Sequence, residues 1–490
     1  MNPDRLEFDT LIRGGTVIDG TGAKGRPGDV AIRGDRIVEV APPGVLDSAA
    51  PANLVDATGR VVAPGFIDVH THDDRAVLVT PEMTPKVCQG VTSVVIGNCG
   101  VSLSPLRLEA PPPPPLNLLG EREDFRFATV ADYVGAVSDA RPSTNVAILI
   151  GHSTLRVGTM PDTDRKAASG EIDRMRALLA EGLAAGAVGF STGLFYRPNA
   201  AADMDEVVAL AEVVADAGGV YTTHMRDEHD GVLESLAETF ETGRRARVPV
   251  VISHHKCASP RNWGRSRETL PRIDAASRHQ RVGLDAYPYA AGSTVLAPDM
   301  VEEEIRILVT WSKAVPEAAG RDLADIAGEW GCSQRQAAER LDPAGAIYFS
   351  MDEADVRRIL AFPLTMIGSD GLPHDEHPRL WGTFPRVIGH YGRDEGLFPI
   401  EQAVHKMTGL PAQTFGLDGR GLVRPGAYAD LIVFDPETIL DRATFADPCR
   451  TPAGIDRVYV NGSLVWKDGA ATGAGGGRVL RHSKRVATAP

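Results

Sequence analysis

The chain has 490 residues, 43% of them hydrophobic and 24% charged, and a formal net charge of -14 at pH 7. Those proportions belong to a globular enzyme with a large buried core. The negative balance argues against a binder of nucleic acid or of an anionic membrane, yet leaves room for an anionic small substrate in a local basic pocket.

The first residues, MNPDRLEFDT, lack the basic-then-apolar form of a secretion signal, and no apolar run reaches transmembrane length. Residues 8–60 read as short strands, FDTLIRGGTVIDGTG, DVAIRGDRIVEVAP and NLVDATGRVV, separated by Gly-Gly and Gly-Asp turns. None of this stretch has a long helical period, so a small β module over 1–61 is expected.

Between 62 and 416 the texture changes. Strand-like runs follow one another as VVAPGFIDVHTH, VTSVVIGNCG, NVAILIGHSTLR, AGAVGFSTGL, GVYTTHMRDE, VPVVISHHKC, VGLDAYPY and PLTMIGSDG, eight in all. Amphipathic helices lie between several of them, as in EIDRMRALLAEGLAAG, MDEVVALAEVVADAGG and GVLESLAETFETGRR. Apolar strands alternating with such helices point to a parallel sheet buried on both faces. Eight repeats, with no glycine-rich nucleotide loop after the first, favour a closed TIM-like (β/α)8 barrel over an open doubly wound sheet.

Two segments interrupt the repeat. LEAPPPPPLNLLG, after the second strand, reads as a superficial loop of polyproline II character. Residues 293–350, before the last strand, are too long for a barrel loop. Their stretches EEEIRILVTW and DLADIAGEWGCSQRQAAERL read as helical, a lid or substrate-selecting wall at the barrel mouth, with a purely structural insertion as the alternative. Over 417–480 the β texture returns. The economical arrangement is one α/β chain in which a β-sandwich built from both chain ends carries the barrel as an insertion. A tail over 481–490 completes it, and GGGRVLRHSKRVATAP as a whole is expected to be flexible or to lie across the surface.

The chemistry-bearing residues fall at strand ends. Alternation puts His70 and His72 on one face where the first strand gives way to loop. Cys99 ends the second strand, His224 the fifth, His254 the sixth and Asp370 the eighth. In a barrel these ends converge on one mouth. Four His, one Cys and one Asp gathered there make a mononuclear or binuclear site for zinc or a similar transition metal. Each residue also has a plainer use: Cys99 as a small buried side chain, Asp370 as a turn former before Gly371. A nucleophilic Cys99 is a rival, although a metal would hold its thiolate as ligand. His255 points away from the mouth by alternation, and His152, at the third strand's end, is a weaker addition. The five cysteines, Cys88, Cys99, Cys257, Cys332 and Cys449, are few, odd in number and scattered, which predicts a reducing cytoplasm and thiols free of disulfides.

Asp370 is the best candidate for general base, since a carboxylate beside a metal can accept a proton from attacking water and return it to a departing group. Lys256, Arg379, Tyr287, Tyr289 and Ser293 fall near the same mouth. A fixed Lys and Arg beside a hydrolytic metal indicate a substrate or product that carries a carboxylate.

These motifs resemble the amidohydrolase superfamily, and within it the N-acyl-D-amino-acid deacylases, or D-aminoacylases. VVAPGFIDVHTH and LVRPGAYADLIVFDP, which bracket the barrel, carry the wider resemblance. GNCGVS, GAVGFSTGL, VVISHHKC, NWGRS, DAYPY and MIGSDGLPHDEHPRLWGTFPRVIGHY carry the narrower one, over nearly the whole chain. Many amidohydrolases bridge two metals with a carboxylated lysine on the fourth strand. Here that strand has no lysine, and the resemblance makes Cys99 the substitute ligand. It further implies a tightly held zinc on Cys99, His224 and His254, and a weaker divalent metal position at His70, His72 and Asp370. Lys256, Tyr287, Ser293 and Arg379 would hold the substrate's α-carboxylate. The implied reaction hydrolyses an N-acyl-D-amino acid to a carboxylic acid and a free D-amino acid, with Asp370 activating water and protonating the leaving amine.

Three other readings stay open. One is a deacylase specific for N-acyl-D-glutamate or N-acyl-D-aspartate, for which a guanidinium such as Arg306 would have to reach the pocket. Another is a cyclic-amide hydrolase of the dihydroorotase or hydantoinase kind, against which the missing lysine counts. The last is a non-catalytic barrel relative, against which the retained Asp370 counts. The expected partner is the small-molecule substrate, with neither nucleic acid nor membrane.

Overall fold

The computed structural model describes residues 8–46, 51–372 and 376–481. Residues 373–375 of the MIGSDGLPHDEHPRLWG motif, and the tail from 482, lie outside the described residues. Eight parallel strands form the central sheet in chain order: Phe66–Asp68, Val91–Ile96, Asn145–Gly151, Gly189–Gly193, Val220–His224, Val250–Ile252, Val282–Ala286 and Thr365–Ile367. Past its last named strand the sheet closes on itself. Thr71 and Gly371 form a parallel bridge, with Asp370 N donating to His70 O at 2.7 Å and His72 N to Gly371 O at 3.1 Å.

All eight expected strands are present, and burial explains why they were visible. Val91–Ile96 and Asn145–Gly151 are buried at every residue, which demands continuous apolar sequence. The intervening helix Met204–Ala217 instead buries one stripe, including Val207, Leu210, Ala211 and Val214. Helices Ser169–Ala184 and Val232–Ala246 cover the barrel in the same way.

VVAPGFIDVHTH, taken as one strand, is two. Val61–Pro64 pairs with Thr10–Val17 and Leu431–Phe434 in the sheet of the chain ends, whereas Phe66–Asp68 begins the barrel. Gly65 makes the crossing, where a Cβ would stand 2.1 Å from the Thr92 side chain. The terminal sheet has nine strands of mixed direction, drawn from both ends of the chain. Ile12, Val30, Ile37, Leu431, Val433 and Tyr459 share one core on this single sheet.

Three expectations need correction. Val479–Leu480, assigned to a loose terminal segment, pairs in parallel with Val146 and Ala147 of the third barrel strand, and Leu480 is buried there. EEEIRILVTW is not helical: Ile307–Ser312 is a strand, and together with Gly292–Val295 and Ala344–Tyr348 it forms a three-stranded antiparallel sheet. Its β-branched, aromatic composition fits a strand once a partner is supplied. DLADIAGEWGCSQRQAAERL does give two helices, Leu323–Trp330 and Gln334–Leu341, which pack on that sheet around a core of their own. The proline-rich loop is not merely superficial, for Pro115 and Leu118 line the cavity at the barrel mouth.

Candidate active site

The strand ends bring their polar residues together. His70 Nε2 lies 3.1 Å from Cys99 Sγ, which lies 3.2 Å from His254 Nε2. Asp370 Oδ1 is 3.4 Å from His70 Nε2 and 3.3 Å from His72 Nε2. The His224 and His254 rings meet edge to face with centroids 4.5 Å apart. Ligand atoms of His70, Cys99, His254 and Asp370 all fall within 4.8 Å of one another, as do those of His224, Glu228 and His254. Cys99 and His254 thus sit between the two histidine sets.

Backbone strain accompanies this convergence. Cys99, His254 and Asp370 have φ values of 52°, 34° and 51°, in the left-handed region that side chains other than glycine seldom occupy. Gly193 on the fourth strand lets the Cys99 turn approach, since a Cβ there would stand 2.3 Å from Cys99 O. The strand thus stays small, and the thiol enters from the neighbouring loop.

A second layer of side chains, absent from the sequence reading, holds the first. Asp285 on the seventh strand lies 3.2 Å from His70 Nδ1 and accepts the His254 backbone N–H at 2.9 Å. Glu228 reaches His254 Nδ1 at 3.0 Å, Lys256 Nζ at 2.8 Å and His224 Nε2 at 3.6 Å. Its signal was available, four residues after His224 in THMRDE. Beneath the cluster, fully buried Lys86 donates to Asp68 Oδ2 and Ser369 Oγ, each at 2.8 Å, tying the first strand to the loop after the eighth.

The charge balance suits a cation. Burial raises the pKa of both the Cys99 thiol and the Asp370 carboxyl, but their neighbours outweigh it. His70 and His254 hold Cys99 well below the usual thiol range, and Arg379, His70 and His72 hold Asp370 well below the usual carboxylate range. In turn, burial resists protonation of His72 and His254, and their anionic neighbours push both up to about 9. A thiolate and a carboxylate offset by protons on buried imidazoles form a donor set that a divalent cation fits by displacing those protons. His72 Nδ1 and His224 Nδ1 are buried without a hydrogen-bond partner, further donor atoms of the right kind.

The cluster opens into a cavity of about 420 Å³ lined also by Lys256, Tyr287, Ser293 and Arg379. Arg379 is buried, its Nη1 donating to Asp370 Oδ2 at 2.7 Å and its Nη2 to Ser293 O at 2.9 Å. Its guanidinium carbon lies 5.0 Å from the Tyr287 ring centroid, and Lys256 Nζ lies 5.8 Å from the same centroid. Tyr289 turns instead toward His377, with ring centroids 5.2 Å apart. His255 bonds Thr269 Oγ1 at 2.9 Å, away from the cluster, and burial lowers its pKa to about 4. His152 is not brought in: it opens the helix after the third strand and faces Glu206 at 2.9 Å. Arg306 pairs with Asp322 at 2.8 Å on the insertion and does not line the cavity.

This constellation on a closed barrel has known counterparts. Residues 53–298 and 274–466 match the amidohydrolase family. The chain belongs to that family. Among its amidohydrolase relatives, the D-aminoacylase of Alcaligenes xylosoxydans xylosoxydans is 55% identical over 98% of this chain and 99% of its own length. The N-acyl-D-aspartate deacylase of the same organism is 50% identical over 96% of this chain and 94% of its own. A solved amidohydrolase, the N-acyl-D-glutamate deacylase of Bordetella bronchiseptica complexed with zinc and a phosphonate mimic of the tetrahedral intermediate, is 47% identical. It superposes with a TM-score of 0.93 over 97% of this chain and 100% of that one.

Proposed function

We propose that this amidohydrolase cleaves the amide bond of N-acyl-D-amino acids, releasing a carboxylic acid and a free D-amino acid. The observation that carries the reading is the meeting, in one cavity, of a His/Cys/Asp cluster with the cationic groups of Lys256 and Arg379. Such an arrangement serves a substrate that has both a hydrolysable bond and a carboxylate.

Zinc held by Cys99, His224 and His254, with a second, weaker divalent metal position at His70, His72 and Asp370, would supply Lewis acidity toward the amide carbonyl and toward water. The remaining steps belong to the chain. Lys256, Tyr287, Ser293 and Arg379 hold the α-carboxylate and so orient the scissile amide. Asp370 takes a proton from the attacking water. As the tetrahedral centre collapses, the same carboxyl delivers that proton to the leaving nitrogen, so the carboxylate is regenerated. Holding the carboxylate and the amide fixes two points, and the cavity wall around the side chain supplies a third, which selects one enantiomer.

The negative net charge, -14, fits a small-molecule substrate and neither nucleic acid nor an anionic membrane. Among the described residues no helix is long and apolar enough to cross a membrane. The thiols of Cys88, Cys99, Cys257 and Cys332, which form no disulfide, fit a cytoplasmic location.

The test is a kinetic panel on zinc-loaded protein with N-acetyl-D-methionine, -D-leucine, -D-glutamate and -D-aspartate, with the L-forms and a hydantoin beside them. D-selective release of free amino acid is expected. Absence of turnover on every D-substrate, or hydantoin opening at a comparable rate, overturns the reading.

A further inference from the structure

The cavity wall carries charges of both signs. Lys256 and Arg379 gather at the Tyr287 ring. The loop after the fifth strand and the start of the insertion add the carboxylates of Asp227, Asp230, Asp299 and Glu302. Among the described residues few cations answer them. Arg261 donates to Asp230 Oδ1 at 2.7 Å and comes only within 4.0 Å of Glu302, while Arg226 is bound to Glu238 at 2.8 Å. His229 stands 3.7 Å from Asp227 and 3.8 Å from Glu302. Asp227 is further occupied by the backbone N–H groups of His229 and Gly231, at 2.6 and 3.1 Å.

Glu302 is the member of this wall with capacity left over. Its side chain is 19% exposed, Oε1 accepts from Ser259 Oγ, and Oε2 is buried without a hydrogen-bond partner. A desolvated carboxylate oxygen in a recess is unfavourable until a donor reaches it. Beside it Met300, Ile305 and Met351 line the same cavity. Apolar side chains and a carboxylate on the wall of one cavity are the complement of a methylene chain that ends in an ammonium or guanidinium.

We propose that Glu302 selects N-acyl-D-amino acids with cationic side chains, of the lysine and arginine type, which rests on the amide-hydrolysis reading above. The same carboxylate disfavours an acidic side chain by like-charge repulsion. Arg306, the guanidinium considered for an acidic side chain, is committed to Asp322 outside the cavity, and the lining Arg226 and Arg261 are held by Glu238 and Asp230.

Two substrate pairs test this, each matched in length and differing in charge: N-acetyl-D-arginine against N-acetyl-D-citrulline, and N-acetyl-D-lysine against N-acetyl-D-norleucine. In the wild-type protein kcat/KM should favour the charged member of each pair by about 10- to 100-fold. Glu302→Gln can still accept from Ser259, and it should collapse both ratios to within about threefold, which a merely structural role for Glu302 would not do. Ratios near one in the wild-type protein overturn the proposal without any variant, as do ratios that survive the substitution. Turnover of the neutral members without a preference for charge leaves the hydrolase reading standing and removes only the specificity. Failure to cleave all four removes the specificity, and removes the hydrolase reading as well only if the D-substrates of the first panel are also inert.

Discussion

Arg379 Nη1 donates to Asp370 Oδ2 at 2.7 Å, and Asp370 Oδ1 faces His72 Nε2 at 3.3 Å. The arginine assigned to the substrate carboxylate therefore also holds the assigned base, and the two functions should fail together. Arg379→Met should raise KM and lower kcat, by about 10-fold or more in kcat/KM for the loss of a charge-assisted hydrogen bond. A change in KM with kcat intact would separate Arg379 from the base. Asp370→Asn should cost roughly 10²- to 10⁴-fold in kcat while the protein retains zinc on elemental analysis, and undiminished hydrolysis would remove Asp370 from its role.

Glu228 joins His254, His224 and Lys256 through one carboxylate. It orients together the imidazole proposed to bind metal and the ammonium proposed to bind substrate. Glu228→Gln should weaken zinc binding by about 10- to 100-fold, read by competition with a chromophoric chelator, because partners that orient a ligand contribute to affinity at that level. Zinc affinity within twofold of wild type would show Glu228 to be dispensable for the site.

Removal of metal should be visible in stability as well as in activity. The cluster gathers a depressed thiol and a depressed carboxyl among buried imidazoles. A cation that binds only the folded chain stabilises it by about 2.7 kcal/mol at a free concentration one hundred times its Kd. Chelation should lower Tm, and zinc added back should raise it in a concentration-dependent way. A Tm indifferent to both would mean that the cluster holds no metal.

Lys86, Asp68 and Ser369 form a buried polar knot beneath the cluster. Lys86→Met leaves Asp68 and Asp73 buried without their cationic partner, and should destabilise the fold by about 3–5 kcal/mol in urea unfolding. Lys86→Met with Asp68→Asn should recover part of that loss. Equal stability of single and double variants would contradict the coupling.

Lys406 provides a pH test away from the site. Burial lowers its pKa to about 8 from an ordinary 10.5. Between those values the unfolded chain binds the proton and the folded chain does not, so the folded state gains stability as pH rises through the window. The stability of Lys406→Met minus that of wild type should therefore fall by about 2 kcal/mol between pH 7.5 and 9.5. A difference that stays constant would contradict a depressed lysine.

Much of the site could be read from the chain because barrel chemistry gathers at strand ends, where a polar residue interrupts an apolar run. His70, His72, Cys99, His224, His254 and Asp370 all announce themselves in this way, and the structure brings all six to one mouth. Glu228 and Asp285 were harder to see. An acidic residue in a loop or strand reads as ordinary until its distance to an imidazole is known. Glu302 was harder still, since it belongs to an inserted segment with no periodic frame to say which way it faces.

The same division runs through the fold. Local composition was enough for eight buried strands, their covering helices and two terminal β segments, because each follows from the pattern of its own residues. What the sequence could not determine depended on partners distant along the chain. Ile307–Ser312 became a strand only beside Ala344–Tyr348, and Val479–Leu480 entered the barrel sheet only by pairing with its third strand. Residues Val61 to His72 split at Gly65 because the two halves pair in different sheets, and Thr92 leaves no room for a side chain at the crossing. Sequence alone named residues that could hold a metal and act on an amide. Tertiary structure decided which carboxylates are fully satisfied and left Oε2 of Glu302 without a hydrogen-bond donor. Pairing of charges and hydrogen bonds is a matter of ångström distances across the fold, and spacing along the chain does not encode it.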